Sequence, residues 1–174
     1  MRIAKIMIII VLTTLVVVFG VKFFMPTDPQ EDIVVEAGSY EHSYIDVITG
    51  QKTVYTKEVE KTTLPIVLNN WISDLNDKNV TYGNAPDGNS ILEGLEIESA
   101  YLVEDMIIIT MNNDFLYFDE GYSQPVYFIN GLLDIMWQVT EASYFSIEVE
   151  GYNESIIHPD GLMIKDIMIR GPEN

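Results

Sequence analysis

The sequence predicts an α+β domain of two layers, in which a mixed β-sheet carries two helices on one face. Two patterns predict this fold class. In two segments the apolar residues recur at steps of three and four, as in a helix that buries one side, and in several others they alternate, as in a half-buried strand. The segments follow in the order β-β-α-β-β-α-β-β, after an N-terminal transmembrane helix. Because each helical segment has one apolar stripe, both helices are expected to cover the same sheet.

The first 25 residues predict a transmembrane signal anchor. They contain three basic residues and no acidic one, and no charge lies between Lys5 and Lys22. Residues 23–25 extend the apolar length to about 20 residues, close to what a bilayer core requires. The basic start favours a cytoplasmic N-terminus and an extracytoplasmic C-terminal domain, so the expected location is the cell membrane, crossed once. The alternative is a cleaved signal peptide, but the small residues of a cleavage site are missing.

Residues 26–43 predict an acidic linker between this anchor and the domain. They hold two prolines, one glycine and five acidic residues. Such a composition favours a short extended segment that lifts the domain off the bilayer. The folded domain is therefore expected over residues 44–170.

The domain is predicted to begin with a hairpin and a helix. Residues 44–60 contain two β-rich runs around a turn near Thr49 and Gly50. Thr63 can cap the helix that follows, which is expected to bury Trp71 in the core rather than present it as a ligand platform. Its apolar stripe consists of Leu64, Val67, Leu68, Trp71, Ile72 and Leu75.

A second hairpin is predicted over residues 95–113, with its turn at Glu104 and Asp105. The run from Met106 to Ile109 is apolar on both faces, which is typical of an interior strand. Glu96 and Glu98 lie on one side of the preceding strand. Paired carboxylates can perform acid–base chemistry, but alternating acids on a half-exposed strand are more often its solvated face, and we assign them to that face.

An aromatic and acidic connection follows this hairpin and contains the candidate binding residues. These side chains could line a groove for a sugar, a peptide or another partner. The alternative, which we favour, is that the segment folds down as a lid over the core. The candidate ligand or partner surface consists of Phe115, Tyr117, Phe118 and Tyr122.

The second helix and the last strands complete the domain. The stretch from Val139 to Gly151 is expected to be scaffold, in which this helix ends and a strand begins. A turn and a last extended run over residues 162–171 close the domain. The buried face of the helix is predicted to contain Ile129, Leu132, Leu133, Met136 and Thr140.

The composition and motifs of the sequence do not indicate a catalytic, metal-binding or phosphate-binding site. Cysteine is absent, which excludes disulfides, thiolate catalysis and cysteine-based metal sites. Each histidine, His42 and His158, is solitary, and neither has the spacing of a zinc motif. No glycine-rich phosphate loop and no G-x-S-x-G sequence is present. We therefore predict no catalytic residue, no metal and no cofactor, and a protein that is not an enzyme; a hydrolase that uses His158 is the third hypothesis.

The charge of the chain limits its partners. The net charge is −18, and all 27 acidic residues lie after Met25. A surface this acidic repels phosphate backbones, so no nucleic acid is expected as a partner. A basic partner would suit the charge, but we favour an acidic coat adapted to salt or to an external compartment.

Three segments resemble the GerMN domain of sporulation and spore-germination proteins. Residues 97–115, "IESAYLVEDMIIITMNNDF", look like that family's strand, acidic turn and strand, and residues 126–151, "VYFINGLLDIMWQVTEASYFSIEVEG", are similar to its long helix and following strand. Residues 64–75, "LPIVLNNWISDL", fit its first helix loosely. The resemblance implies a single-copy, membrane-anchored member of a family associated with envelope assemblies. It transfers no catalytic residue to this chain.

These observations predict a membrane-anchored extracytoplasmic module for protein interaction or assembly, in sporulation, germination or the general cell envelope. Its partner is expected to be another envelope or sporulation protein, or a second copy of the chain. The alternative from a different class is a non-catalytic domain that binds cell-wall glycan or a small ligand through the aromatic connection.

Overall fold

The computed structural model describes residues 30–118, 123–157, 162–165 and 167–168. From Asp32 onward these residues belong to one compact unit. No helix in them is long and apolar enough to cross a membrane. The predicted anchor over residues 1–25 lies outside the described residues, as do Tyr122 and His158.

The described elements alternate between strands and helices as the sequence predicts, with several additions. They are, in chain order, β1 (Val34–Val35), β2 (Gly38–Ile45), β3 (Lys52–Val59), β4 (Thr62–Thr63), α1 (Leu64–Asp77), α2 (Ile91–Gly94), β5 (Ile97–Val103), β6 (Met106–Met111), a 3-10 helix (Asn113–Tyr117), α3 (Ser123–Val139), β7 (Tyr144–Val149), β8 (Ile156–Ile157), β9 (Leu162–Met163) and β10 (Ile167–Met168).

A mixed four-stranded sheet forms the centre of the domain. Its strand order is β10-β7-β6-β5; β6 runs parallel to β7, and the other pairs are antiparallel. The parallel pair is possible because α3 lies between β6 and β7 in the chain and returns it to the same end of the sheet. The predicted α+β class, the turn at Glu104 and the interior position of β6 are confirmed.

One face of this sheet and the stripes of α1 and α3 share a single hydrophobic core. Ile107, Ile109, Phe145 and Ile147 are fully buried on the inner face of the sheet. The predicted burial of Trp71 is confirmed, as is that of the α3 stripe except for Thr140, which is half-buried and follows the end of α3. The helical side of the core contains Leu64, Val67, Leu68, Trp71, Ile72 and Leu75 from α1, and Phe128, Leu132, Ile135 and Met136 from α3.

The first hairpin differs from its prediction in two respects. Among the described strands, β2 and β3 pair with each other and not with the strands of the central sheet. In addition, β1 and the start of β2 lie within residues 26–43, the segment predicted as a linker. The reason is tertiary: Val35 is buried in the core, β1 pairs with β4, and Asp32 Oδ1 accepts a hydrogen bond from the backbone N–H of Ala100 (2.8 Å). Local composition carries no information about such distant partners.

The sequence also predicts two helices where the described residues contain three α-helices. The additional helix, α2, has only four residues, which is too short for an apolar period to be recognised. It buries Ile91 and Leu92 in the core. The last extended run is likewise divided, into the short strands β9 and β10.

The β2–β3 hairpin contacts both α1 and α3. Trp71 of α1 donates a hydrogen bond from Nε1 to the carbonyl oxygen of Ser43 in β2 (2.9 Å). Gly131 of α3 faces the same point: a Cβ placed there would lie 2.4 Å from Trp71 Cζ2 and 3.0 Å from the Ser43 carbonyl oxygen. A glycine inside a helix weakens it, so the close approach of three elements explains this residue.

Candidate functional site

The predicted aromatic surface lies largely inside the core. Phe115 and Phe118 are buried, and Tyr117 is half-buried against the core. The Phe118 ring packs on Phe128 of α3 with centroids 5.1 Å apart, and the Phe115 and Phe118 centroids are 5.4 Å apart. This placement agrees with the lid alternative. A ligand surface at Tyr117 and Tyr122 stays a prediction, because Tyr122 lies outside the described residues.

The outer face of the central sheet is the first candidate site. The strand register places five apolar side chains on the face opposite Ile107 and Phe145. Four of these side chains are half-buried and the fifth, that of Tyr144, is exposed. We name this surface the outer sheet face; it consists of Tyr101, Val103, Met106, Ile108 and Tyr144.

Acidic groups border the outer sheet face. The hydroxyl of Tyr101 donates across β6 to Glu148 Oε2 (3.4 Å), and its pKa is raised by burial and by that carboxylate. Glu104 and Asp105 of the β5–β6 turn line a pocket of about 280 Å³ together with Met106 and Tyr144. An apolar centre with a polar rim is the arrangement found in protein interfaces.

Polar groups are satisfied where the hairpin meets α3. The Asp134 carboxylate accepts a hydrogen bond from Ser43 Oγ and lies 2.5 Å from Lys52 Nζ. The side chain of Gln138 bonds both backbone groups of Glu41, accepting from its N–H and donating to its carbonyl oxygen, each at 2.7 Å. We call this set of contacts the seam. It holds the hairpin to α3, and we interpret its role as structural.

Charged groups also join the opposite face of the hairpin to α1. Lys57 Nζ lies 2.7 Å from each oxygen of Asp74, and the Tyr55 hydroxyl approaches the same carboxylate at 3.4 Å. Lys78 Nζ lies 4.2 Å from the centroid of the Tyr55 ring. Burial, followed in importance by the negative charge of Asp74, raises the pKa of Tyr55. This phenol therefore stays protonated at any physiological pH.

His42 is the unusual residue on this face. Its side chain is 1% exposed, its ring meets Tyr55 edge-on with centroids 5.5 Å apart, and neither ring nitrogen has a hydrogen-bond partner. Burial lowers its pKa more than the nearby Asp74 raises it, and Lys57 and Lys78 lower it further. A buried polar group without a partner is costly, so His42 retains unused hydrogen-bonding capacity.

A pocket of about 330 Å³ lies beside His42, between the end of β3 and the first turns of α1. Its lining combines charged and apolar groups: the cations Lys57 and Lys61, the acids Glu58 and Glu60, and the apolar Ile66 and Val67. No sequence pattern predicts a contact between His42 and α1, because the histidine lies in the predicted linker. The alternation of Tyr40, His42 and Tyr44 was the only available sign of a strand.

Metal binding has no support in the described ranges, where no three His, Asp or Glu side chains come close enough to hold an ion.

Comparisons with known proteins found similarity among solved structures at low sequence identity. No family model and no curated protein matches the chain. Among solved structures, the tandem GerMN domains of the sporulation protein GerM from Bacillus subtilis match at 11% identity and a TM-score of 0.48, covering 82% of this chain and 48% of that one. A second match, "Putative Lipoprotein from Clostridium perfringens", has 11% identity and a TM-score of 0.40, covering 80% and 92%. The chain thus spans about half the length of the first structure.

Proposed function

We propose that this chain is a membrane-anchored extracytoplasmic interaction module, in which the outer sheet face receives a protein partner of the cell envelope. In this proposal the domain binds and does not catalyse. The observation that carries it is the outer sheet face itself: five apolar side chains on the face of the central sheet opposite the core, in a chain with a net charge of −18. Contiguous apolar surface of this kind is typical of interaction sites.

The apolar character of the face favours a protein over a glycan or a lipid headgroup. Tyr101, Met106 and Tyr144 belong to the residue types enriched in protein interfaces. The acids at the border, Glu104 and Glu148, disfavour anionic lipids and favour a partner with basic groups around an apolar centre. The envelope and sporulation context rests on the sequence resemblance to GerMN domains and on the predicted anchor.

Site-specific photocrosslinking in intact cells tests the surface. A photoreactive amino acid is placed at Tyr101, and at Thr56 of the hairpin as an exposed control. We expect a discrete protein adduct from position 101 that is absent at position 56, and its loss on Ile108→Lys but not on Ile48→Lys, a matched change at the exposed tip of the hairpin. An adduct to a second copy of the chain would identify self-assembly. No adduct at position 101, with an unaltered envelope after deletion of the protein, overturns the proposal.

Membrane extraction tests the anchor separately. The full chain is expected to remain with membranes in alkaline carbonate, because residues 1–25 are apolar enough to span the bilayer. A soluble mature form that begins near Met25 would show cleavage instead.

The glycan-binding alternative depends on the partly accessible Tyr117. Peptidoglycan pelleting of the Tyr117→Ala variant tests it, and unaltered pelleting removes this residue from consideration. Phe118→Ala is a poorer probe, because truncating a buried phenylalanine costs about 3–5 kcal/mol of stability and can unfold the protein.

A further inference from the structure

We propose that the pocket between β3 and α1 binds an organic carboxylate with a short branched aliphatic group, held by Lys61 and His42 at the carboxylate and by Ile66 and Val67 at the apolar end. This site is separate from the outer sheet face and does not depend on the proposed protein partner.

The size and lining of the pocket define the ligand class. A volume of about 330 Å³ is at the lower end of the range for small-molecule sites. Val67 forms part of the buried core, while Ile66 is 51% exposed and lines the pocket. The pocket thus offers a small apolar patch to a group of about the size of a leucine side chain.

The pocket contains groups that can bind an anion. Lys57 and Lys61 both line it, although the chain as a whole is strongly acidic. The first turns of α1 form one wall. No acidic residue and no capping side chain lies at the start of this helix, although the Leu64 N–H donates to the carbonyl oxygen of Ile33 (2.8 Å). Two acids, Glu58 and Glu60, also line the pocket. Glu58 alternates with Lys57 and Val59 along β3, so its side chain extends from the other side of the strand, and Glu60 follows the end of β3.

Lys61 is the cation available to a ligand. It is paired with Glu36 at 2.7 Å, but the two side chains are 63% and 70% exposed. An exposed pair of this kind contributes little, so a ligand carboxylate can replace Glu36 at small cost. Lys57 is less available because Asp74 holds it through both oxygens.

His42 supplies the second contact. Its ring lines the pocket, and neither nitrogen has a partner, so a carboxylate oxygen that accepts from an imidazole N–H would satisfy a group that is otherwise buried at a cost. Both nitrogens are shielded from water, so a lining side chain must move to admit the ligand.

NMR titration of the full chain in detergent micelles tests the site. The chain has only two histidines, so the imidazole signals of His42 can be assigned by comparison with His42→Gln. Isovalerate and N-acetylleucine serve as carboxylate probes, and isovaleramide serves as the neutral control of equal shape. We expect saturable millimolar binding of the acids that shifts the His42 signals, and binding of the amide weaker by at least about tenfold.

Two lysine variants localise the binding. Lys61→Gln is expected to weaken carboxylate binding at least about fivefold, whereas Lys52→Gln, on the face toward α3, leaves it unchanged. Both lysines have exposed side chains, so both variants are expected to fold. Tighter binding of N-acetylleucine would assign the source to peptide C-termini, and tighter binding of isovalerate to free acids; either result supports the site. Equal binding of acid and amide, no shift at His42, or no effect of Lys61→Gln overturns it.

Discussion

The two faces of the β2–β3 hairpin use polar groups in opposite ways. Toward α3, Asp134 is bonded by Ser43 and Lys52, and Gln138 is bonded to the backbone of Glu41. Toward α1, Lys57 and Asp74 are paired, but His42 is buried beside them with both ring nitrogens unpartnered.

The difference shows on which face of the hairpin the polar groups already have hydrogen-bond partners. Toward α3 the polar groups are bonded to one another, so removal of the buried Ser43 hydroxyl or of the partly buried Asp134 carboxylate is expected to lower the stability of the domain. A face that contains an unpartnered buried group beside a pocket can gain free energy from a ligand or lose it on protonation. Structural and binding roles are therefore divided between the two sides of one hairpin.

Gly131→Ala is expected to have the largest effect, because it breaks the junction that both faces share. The new Cβ would overlap the rigid Trp71 ring and press on the Ser43 carbonyl. We expect the free energy of unfolding to fall by about 2–3 kcal/mol despite the better helix propensity of alanine. Urea denaturation measures it, with Asn130→Ala at an exposed position of the same helix as the control. Equal midpoints for the two variants would mean that α3 is not packed as described.

Asp134→Asn disturbs only the face toward α3. The amide keeps the shape and one acceptor but loses the charge beside Lys52 and weakens the bond from Ser43. We expect a loss of about 1–2 kcal/mol in the free energy of unfolding. Asp77→Asn, at an exposed position at the end of α1, should change it by less than about 0.5 kcal/mol. A comparable loss in both variants would show that the seam contributes nothing specific.

The pH dependence of stability tests the protonation state of His42, on the face toward α1. Burial holds the pKa of His42 below its ordinary value of 6.5, so the unfolded chain binds a proton at a higher pH than the folded one. The contribution of neutral His42 to the free energy of unfolding is therefore fully present above about pH 6.5. It falls as the pH is lowered toward the pKa of His42 in the folded protein, by at most about 1.4 kcal/mol per pH unit. Asp74, Lys57, Lys78 and Tyr55 surround the ring and remain in the variant.

The measurement is the urea midpoint between pH 7.5 and pH 5 for the wild type and for His42→Gln. The wild type should lose more stability over this range, because glutamine does not titrate. Parallel curves would contradict the neutral, buried state of His42.

Lys61→Gln should have the smallest effect on stability. Its pair with Glu36 is exposed on both sides, so the expected loss is below about 0.5 kcal/mol. Lys57→Gln makes the sharper comparison, since Asp74 is largely buried and would lose its cation, at a cost of about 1–2 kcal/mol. Thermal unfolding of the two variants measures the difference. If Lys61→Gln proved the more damaging, the pocket wall would be a structural element rather than a site open to ligands.

Where the apolar pattern is long and regular, the sequence predicted the fold correctly. Apart from Thr140, the stripes of α1 and α3 are buried as expected, β6 is interior, and residues 139–151 contain the end of α3 and all of β7. In each case the residues that decide the element are neighbours in the chain, so the local pattern contains the information. The aromatic connection was predicted less fully: its composition allowed a groove or a lid, and the packing of Phe118 on Phe128 favours the lid.

The candidate pocket could not be predicted, because its parts are distant in sequence. His42 lies in a segment whose prolines, glycine and acids indicate a linker, and nothing local shows that β2 will pair with β3 and pack against α1. The short elements α2 and β1 were missed for the same reason, since two or four residues have no period.

By itself, the sequence determined the α+β class, the two main helices, the central hairpin and the acidic surface, because these follow from the order of apolar and charged residues along the chain. Only the tertiary structure decided that the first hairpin stands apart from the central sheet, that Gly131 admits Trp71, and that His42 is buried beside a pocket with two lysines. Such features arise from contacts between residues distant in the chain, such as Glu41 and Gln138, which are 97 positions apart. The free energy of these contacts depends on burial and distance, which are defined only after folding.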